Sequence, residues 1–215
     1  MKLVLLCGAG GTGKSTVTME LSKHKDVTVM RSSSRETYLR LGIPTETAAF
    51  GMSLDTQKML QDEIMKDHMK KLDETVQSMH SRGVFGHGIL VVDRSPFDHM
   101  AYWTRTNALD VNSKVSDFDQ GITNVCHFID NHLKPEVVSF FDFPYPTSWS
   151  TDDGMRDQNE IKTLEMSLLT TGLIRRCRSR LSTFSTYDEM RPESPELRRA
   201  FIIREIMHQP NTQGV

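Results

Sequence analysis

Lys14 and Ser15 close the run Gly8-Ala9-Gly10-Gly11-Thr12-Gly13-Lys14-Ser15, a spacing of glycines, one lysine and one hydroxyl that suits a polyphosphate. The glycines let successive backbone N–H groups turn toward phosphate oxygens, the lysine reaches the β- and γ-phosphates, and the serine hydroxyl holds Mg²⁺. Residues Gly8, Ala9, Gly10, Gly11, Thr12, Gly13, Lys14, Ser15 and Thr16 are therefore the candidate nucleotide-binding set. A second chemical signal is Ile89-Leu90-Val91-Val92-Asp93-Arg94-Ser95-Pro96, four apolar residues ending in an acid and an arginine. An acid at the carboxyl end of a buried strand orders Mg²⁺ through water or accepts a proton from an attacking hydroxyl. Ser15 and Asp93 are thus the candidate metal-binding pair, and Arg94 would face the acceptor or its phosphate.

These residues need a scaffold that brings strand ends together. Short apolar runs alternate with longer helical stretches, the pattern of an α/β protein with a parallel sheet. Strands are expected at Lys2–Cys7, Val27–Met30, Ile89–Asp93, Val137–Phe141 and Leu181–Ser185, each followed or preceded by a helix. The apolar run Leu3–Cys7 delivers the glycine-rich loop to the sheet edge, and the stretch from Thr16 to Lys23 offers its positive helix end to the same anion. The longest helix is expected from Ser53 to Gly83, with Leu60, Ile64, His68, Leu72, Val76 and Met79 as a core stripe in which His68 is a structural, hydrogen-bonded histidine. Ser95-Pro96-Phe97-Asp98 signals a helix start, as does Ser194-Pro195-Glu196. A shorter amphipathic helix is expected from Ser34 to Leu41.

At 215 residues and 37% hydrophobic, the chain is long enough for one good core. A single domain over 1–215 is expected, soluble and cytoplasmic, with no membrane span. Cys7, Cys126 and Cys177 are widely spaced and match no metal or redox pattern, so they read as reduced packing residues. The net charge of -2 hides an asymmetry, because Thr171 to Arg204 holds eight arginines, no lysine and four acids. Arginine's planar fork suits phosphate, while a solvated helix face accounts for the same bias. Trp103 and Trp149 are candidates for stacking on a base, or for core packing.

The glycine-rich loop, Asp93-Arg94-Ser95 and Asp153-Gly154-Met155-Arg156 together resemble the nucleoside and nucleotide kinase group of P-loop proteins, most of all its nicotinamide riboside kinase-like branch. That resemblance spans nearly the whole chain. It implies a three-layer fold, a five-stranded parallel sheet of order 2-3-1-4-5 with helices on both faces and a helical lid over about 143–180. It also implies ATP and Mg²⁺ as cofactors, with Lys14, Asp93, Arg94 and Arg156 as catalytic residues and Arg156 as a lid arginine. Members of the branch often carry an acid before the Arg-Glu pair after strand two. Here Arg31-Ser32-Ser33-Ser34 precedes Arg35-Glu36, which favours Asp93 as the base and leaves Glu36 and Asp142 in reserve.

The implied activity is ATP-dependent phosphorylation of a hydroxyl on a nucleoside-like acceptor. The compact chain also resembles bacteriophage kinases that act on 5-hydroxymethyluracil in DNA during DNA hypermodification, and the arginine excess would then serve the DNA backbone. A free deoxynucleoside or nucleoside monophosphate kinase is the alternative. A non-catalytic nucleotide-dependent switch or lipid-binding module is a third reading, and the oligomeric state is left open by the sequence.

Overall fold

Alternation along the first strand divides the core in two. In β1 (Lys2–Gly8), Leu3, Leu5 and Cys7 enter one apolar cluster while Val4 and Leu6 enter another on the opposite face. A strand buried on both faces reads as a continuous apolar run, as parallel sheets require. The computed structural model describes residues 1–8, 12–44, 48–49, 51–143, 160–190 and 195–208. Within them the strands are β1, β2 (Val27–Met30), β3 (Ile89–Asp93), β4 (Val137–Phe143) and β5 (Ser185–Glu189), all parallel, in the order β2-β3-β1-β4-β5. This is the sheet that the sequence resemblance implied.

The helices are α1 (Lys14–Leu21), α2 (Ser34–Arg40), α3 (Leu54–Ser81), α4 (Pro96–Ala108), α5 (Val115–His127), α6 (Glu160–Arg178) and α7 (Pro195–His208). Val17 and Leu21 of α1 and Ile202 and Ile206 of α7 cover one face of the sheet. Leu72, Val76 and Met79 of α3, Phe97 and Met100 of α4, Ile122 of α5 and Ile174 of α6 cover the other. Full burial of each such side chain stabilises the fold by about 1.5–3 kcal/mol. All three cysteines are free thiols in this core, and the Sγ atoms of Cys126 and Cys177 lie 3.1 Å apart.

Local signals explain the ends of α3. The Ser53 side chain accepts from the Thr56 N–H at the start, and Gly83 takes a φ of 69° just past the end, where a Cβ would be strained. The last strand departs from expectation. It begins at Ser185 rather than Leu181, because the Asp130 carboxylate accepts the N–H groups of Ser182 (2.7 Å) and Thr183 (3.1 Å) and holds that segment as a loop. An edge strand with four half-buried residues and an exposed Glu189, reading Ser-Thr-Tyr-Asp-Glu, carries little apolar signal of its own. Of the stretch read as a lid, 144–159 falls outside the described residues. The rest forms α6, which buries Met166, Leu173, Ile174 and Cys177 in the main core.

Candidate active site

The parallel register sets the ends of β1, β3 and β4 side by side, with Leu6 opposite Asp93 and Phe141, and Gly8 opposite Phe143. Gly8 leaves the sheet at a φ of 115°, and a Cβ there would stand 2.3 Å from the Phe143 carbonyl oxygen. Only glycine fits, since both the backbone conformation and the space forbid a side chain. Gly13 at φ 92° then turns the chain into α1, and its carbonyl accepts from the Thr16 N–H.

Lys14 is buried and folded back on its own loop. Its Nζ donates to the Gly8 carbonyl at 2.7 Å and to Thr12 Oγ1 at 3.2 Å. Burial lowers the ammonium pKa to about 8, against the opposing pull of Asp98 and Asp93 and together with the repulsion of Arg94. One step further, the exposed Ser15 hydroxyl donates to Asp93 Oδ2 at 2.9 Å, so the two residues expected to share a metal stand together. A hydroxyl and a carboxylate are hard oxygen donors of the kind Mg²⁺ takes. No group of three or more His, Cys, Asp or Glu suited to a metal ion exists among the described residues, and Mg²⁺ takes few protein ligands, filling its shell with water and phosphate oxygens.

Arg94 occupies the corner between β3 and α4 at a φ of 72°, and its guanidinium lies 5.9 Å from the Tyr102 ring centroid. A left-handed conformation costs a non-glycine residue about 1–2 kcal/mol. Behind the corner, α4 begins with a capping box. The Ser95 side chain accepts from the Asp98 N–H, and Asp98 Oδ2 accepts from the Ser95 N–H at 2.6 Å and its hydroxyl at 2.8 Å. Asp98 Oδ1 accepts from the Gly8 N–H at 2.7 Å. Burial raises the Asp98 carboxyl pKa, opposed by Lys14, by the hydrogen bond to Ser95, and by Arg94 and Gly8. Sequence spacing showed Asp98 as a helix-starting acid. It held no sign of the second oxygen's bond to Gly8, which joins positions ninety residues apart.

A family model described as an AAA domain matches residues 3–191. The chain belongs to the AAA-domain family. No protein of curated function matches it in sequence. In structure it is similar to the deoxyadenosine kinase from M. mycoides with bound dCTP, with 13% identity, a TM-score of 0.61, and coverage of 97% of this chain and 100% of that one. It is also similar to the thymidylate kinase from Ehrlichia chaffeensis, at 14% identity and a TM-score of 0.50 over 95% of this chain and 97% of that one. The NadR protein in complex with NR gives 12% identity and a TM-score of 0.53, over all of this chain and 53% of that one. At these identities the shared property is the fold, a P-loop kinase-like α/β architecture.

Other candidates in this AAA-domain protein separate into those near the loop and those away from it. Asp142, one residue before the end of β4, is fully buried, and its Oδ2 accepts from the Thr171 hydroxyl at 2.6 Å and the Tyr187 hydroxyl at 2.9 Å. It clips α6 and β5 to β4, and burial raises its carboxyl pKa. Glu36 instead faces solvent and pairs with Lys71 at 2.8 Å, while Arg40 pairs with Glu63 and Asp67. Trp103 is half-buried, its indole N–H donating to Asp62 at 2.8 Å. Ala9, Gly10, Gly11, Trp149 and Arg156 lie outside the described residues.

His68 is structural, as expected, but among the described residues its ring has no hydrogen-bond partner. It lies wholly buried with its ring centroid 4.5 Å from that of His99. Neither His68 nitrogen nor His99 Nε2 has a hydrogen-bond partner among the described residues. The helical periodicity predicted the burial, whereas the partner across the α3–α4 seam is a tertiary matter.

Proposed function

We propose that the protein is a kinase that transfers the γ-phosphoryl group of ATP to a hydroxyl of a nucleoside-like acceptor. The observation that carries this reading is the Ser15–Asp93 contact at 2.9 Å, which sets an acid from the end of β3 against the hydroxyl that ends the phosphate loop. A module that only binds nucleotide needs an acid to order Mg²⁺ but no acceptor base and no acceptor-facing arginine beside it. In the reaction the acceptor oxygen forms a bond to the γ-phosphorus, the bond to the bridging oxygen of ADP breaks, and the acceptor proton passes to Asp93. Lys14 would exchange its bonds to Gly8 and Thr12 for β- and γ-phosphate oxygens, and that new contact would favour its charged form. Arg94 would orient the acceptor, and Arg156 would supply further charge to the transferred group. Mg²⁺ held by Ser15, with Asp93 ordering its shell through water, would neutralise charge on the phosphate oxygens. Phosphoryl transfer of this loose kind depends on positioning and positive charge more than on covalent chemistry.

The neighbours in structure act on, or are bound to, deoxynucleosides and nucleotides by name, which supports a small nucleoside-like acceptor. The competing acceptor, 5-hydroxymethyluracil in phage DNA, rests on the arginine excess after Thr171. The observed partners of those arginines weaken it, since Arg176 and Arg180 pair with Asp119 at 2.6 Å and 3.1 Å. The deciding experiment measures transfer of labelled γ-phosphate from ATP to free nucleosides, to mononucleotides and to DNA containing 5-hydroxymethyluracil. Transfer to a free nucleoside or mononucleotide is expected. Transfer to the modified DNA alone would restore the polymer acceptor, and transfer to none would remove the kinase reading.

A further inference from the structure

We propose that Asp98 is a positioning residue whose single carboxylate locks the entry of the phosphate loop to the corner that carries Arg94. The inference rests on the kinase reading for its purpose, but its geometry stands apart from it. Gly8 belongs to the loop, and Ser95 follows Arg94. Asp98 Oδ1 accepts from the Gly8 N–H at 2.7 Å, while Oδ2 accepts from the Ser95 N–H at 2.6 Å and the Ser95 hydroxyl at 2.8 Å. All three bonds are buried, and the aspartate is 2% exposed.

A helix cap alone does not require this arrangement. Capping α4 uses one oxygen, and the other spans to a different strand. Both oxygens meet backbone N–H groups, which can only donate, so each side of the carboxyl group must accept. An asparagine offers an acceptor on one side and an NH₂ on the other, and would press that NH₂ against either Gly8 or Ser95. The charged, two-sided acceptor is therefore a requirement of the site, and charge-assisted bonds of this type are about twice as strong as neutral ones.

Gly8 is held from three directions. Asp98 takes its N–H, Lys14 Nζ donates to its carbonyl at 2.7 Å, and the Phe143 carbonyl stands where a side chain would go. Freeing the N–H releases the Cys7–Gly8 peptide, and the φ of Gly8 that aims the following peptide's carbonyl at Lys14 is then no longer fixed. A change at Asp98 should therefore reach phosphate binding through Gly8, even though Asp98 need touch neither nucleotide nor acceptor.

Asp98→Asn and Ser95→Ala separate this role from simple capping. Ser95→Ala removes the serine half of the cap and leaves the carboxylate on Gly8. In Asp98→Asn the Gly8 amide is expected to exchange with solvent at least about tenfold faster without nucleotide, and the MgATP Kd to rise by about tenfold or more, on the order of the loss of one charge-assisted bond. Ser95→Ala should lower the melting temperature while leaving both quantities within about twofold of wild type. Equal effects from the two variants, or an unchanged Gly8 amide in folded Asp98→Asn, would overturn the proposal. Should Asp98→Asn not fold, the wild-type Gly8 amide carries the test, because a proton bound to a carboxylate is protected and shifts as that carboxylate titrates. Exchange at the rate of a free amide would then overturn it. A wild-type protein that shows the protected amide but transfers no phosphate to any acceptor would defeat the kinase reading and leave this inference standing.

Discussion

Two arginine regions of this protein have opposite character. Arg94 is a single residue held at a φ of 72° between β3 and α4, over Tyr102 and beside the loop that carries Lys14. The group from Arg175 to Arg180 has four arginines on or just after α6, and each has a partner within the protein. Arg176 and Arg180 grip Asp119, Arg175 faces Glu189 at 3.8 Å, and Arg178 lies over the Tyr187 ring and donates to the Ser185 carbonyl. The larger concentration of charge ties α6 to α5 and β5. The single strained residue stands where phosphate chemistry would occur. Charge density in a sequence thus does not by itself mark a ligand, because neighbouring acids and carbonyls can take up the charge.

The strongest way to sharpen this contrast is at the loop itself. Lys14→Ala is expected to abolish phosphoryl transfer while the protein stays folded, because the Lys14 amine bonds to the loop itself, at Gly8 and Thr12. Radiolabel transfer alongside circular dichroism checks it, and full activity in a folded variant would remove the loop assignment. Asp93→Asn should reduce turnover by about 10²-fold or more, the low end of general-base contributions, with a smaller effect on ATP affinity. Unchanged turnover with lower stability would make Asp93 a structural partner of Ser15 only.

Arg94→Gly tests the strained corner directly. Glycine relieves a left-handed conformation worth about 1–2 kcal/mol, while the contact to Tyr102 is lost, so the melting temperature should hold or rise as turnover falls. A variant that keeps its turnover would break the comparison. The surface cluster should behave in the reverse manner. Arg176→Ala with Arg180→Ala is expected to lower the melting temperature slightly and leave transfer to a small acceptor unchanged, since exposed ion pairs are weak. Loss of activity toward modified DNA, with a flatter dependence of binding on salt, would instead return these arginines to a nucleic-acid role.

The last effect touches stability and not turnover, and it comes from the buried seam behind Arg94. Burial lowers the His68 pKa to about 3, helped by Lys71 and Arg94, and His99 is likewise held well below the ordinary value of 6.5 by burial, His68 and Arg94. Unfolding restores an ordinary histidine that binds a proton below pH 6.5, so acid favours the unfolded chain. The stabilisation from the neutral ring is complete above that pH and declines as the pH falls toward 3, by at most about 1.4 kcal/mol per pH unit for each histidine. Denaturant midpoints at pH 7 and pH 5 should differ more for wild type than for His68→Leu. Equal pH dependence would show that the seam contributes nothing to acid sensitivity.

Most element boundaries follow from local patterns in the sequence, whereas the sheet order was implied by the family resemblance. Continuous apolar runs mark β1, β3 and β4, Ser53 and Gly83 bracket α3, and Ser95-Pro96 opens α4, since these signals act within a few residues of the structure they set. The loop from Gly8 to Ser15 and the acid at Asp93 were legible for the same reason, because glycine spacing and an acid ending an apolar strand are local. Three features were decided only by tertiary structure. β5 takes its position from Asp130 holding Ser182 and Thr183, His68 meets His99 across two helices, and Asp98 reaches Gly8 from ninety residues away. Each depends on a side chain meeting a group distant in sequence, and local spacing carries no record of such a meeting. Packing places the sheet ends and helices, and only then does it determine which donors a buried carboxylate or imidazole will find.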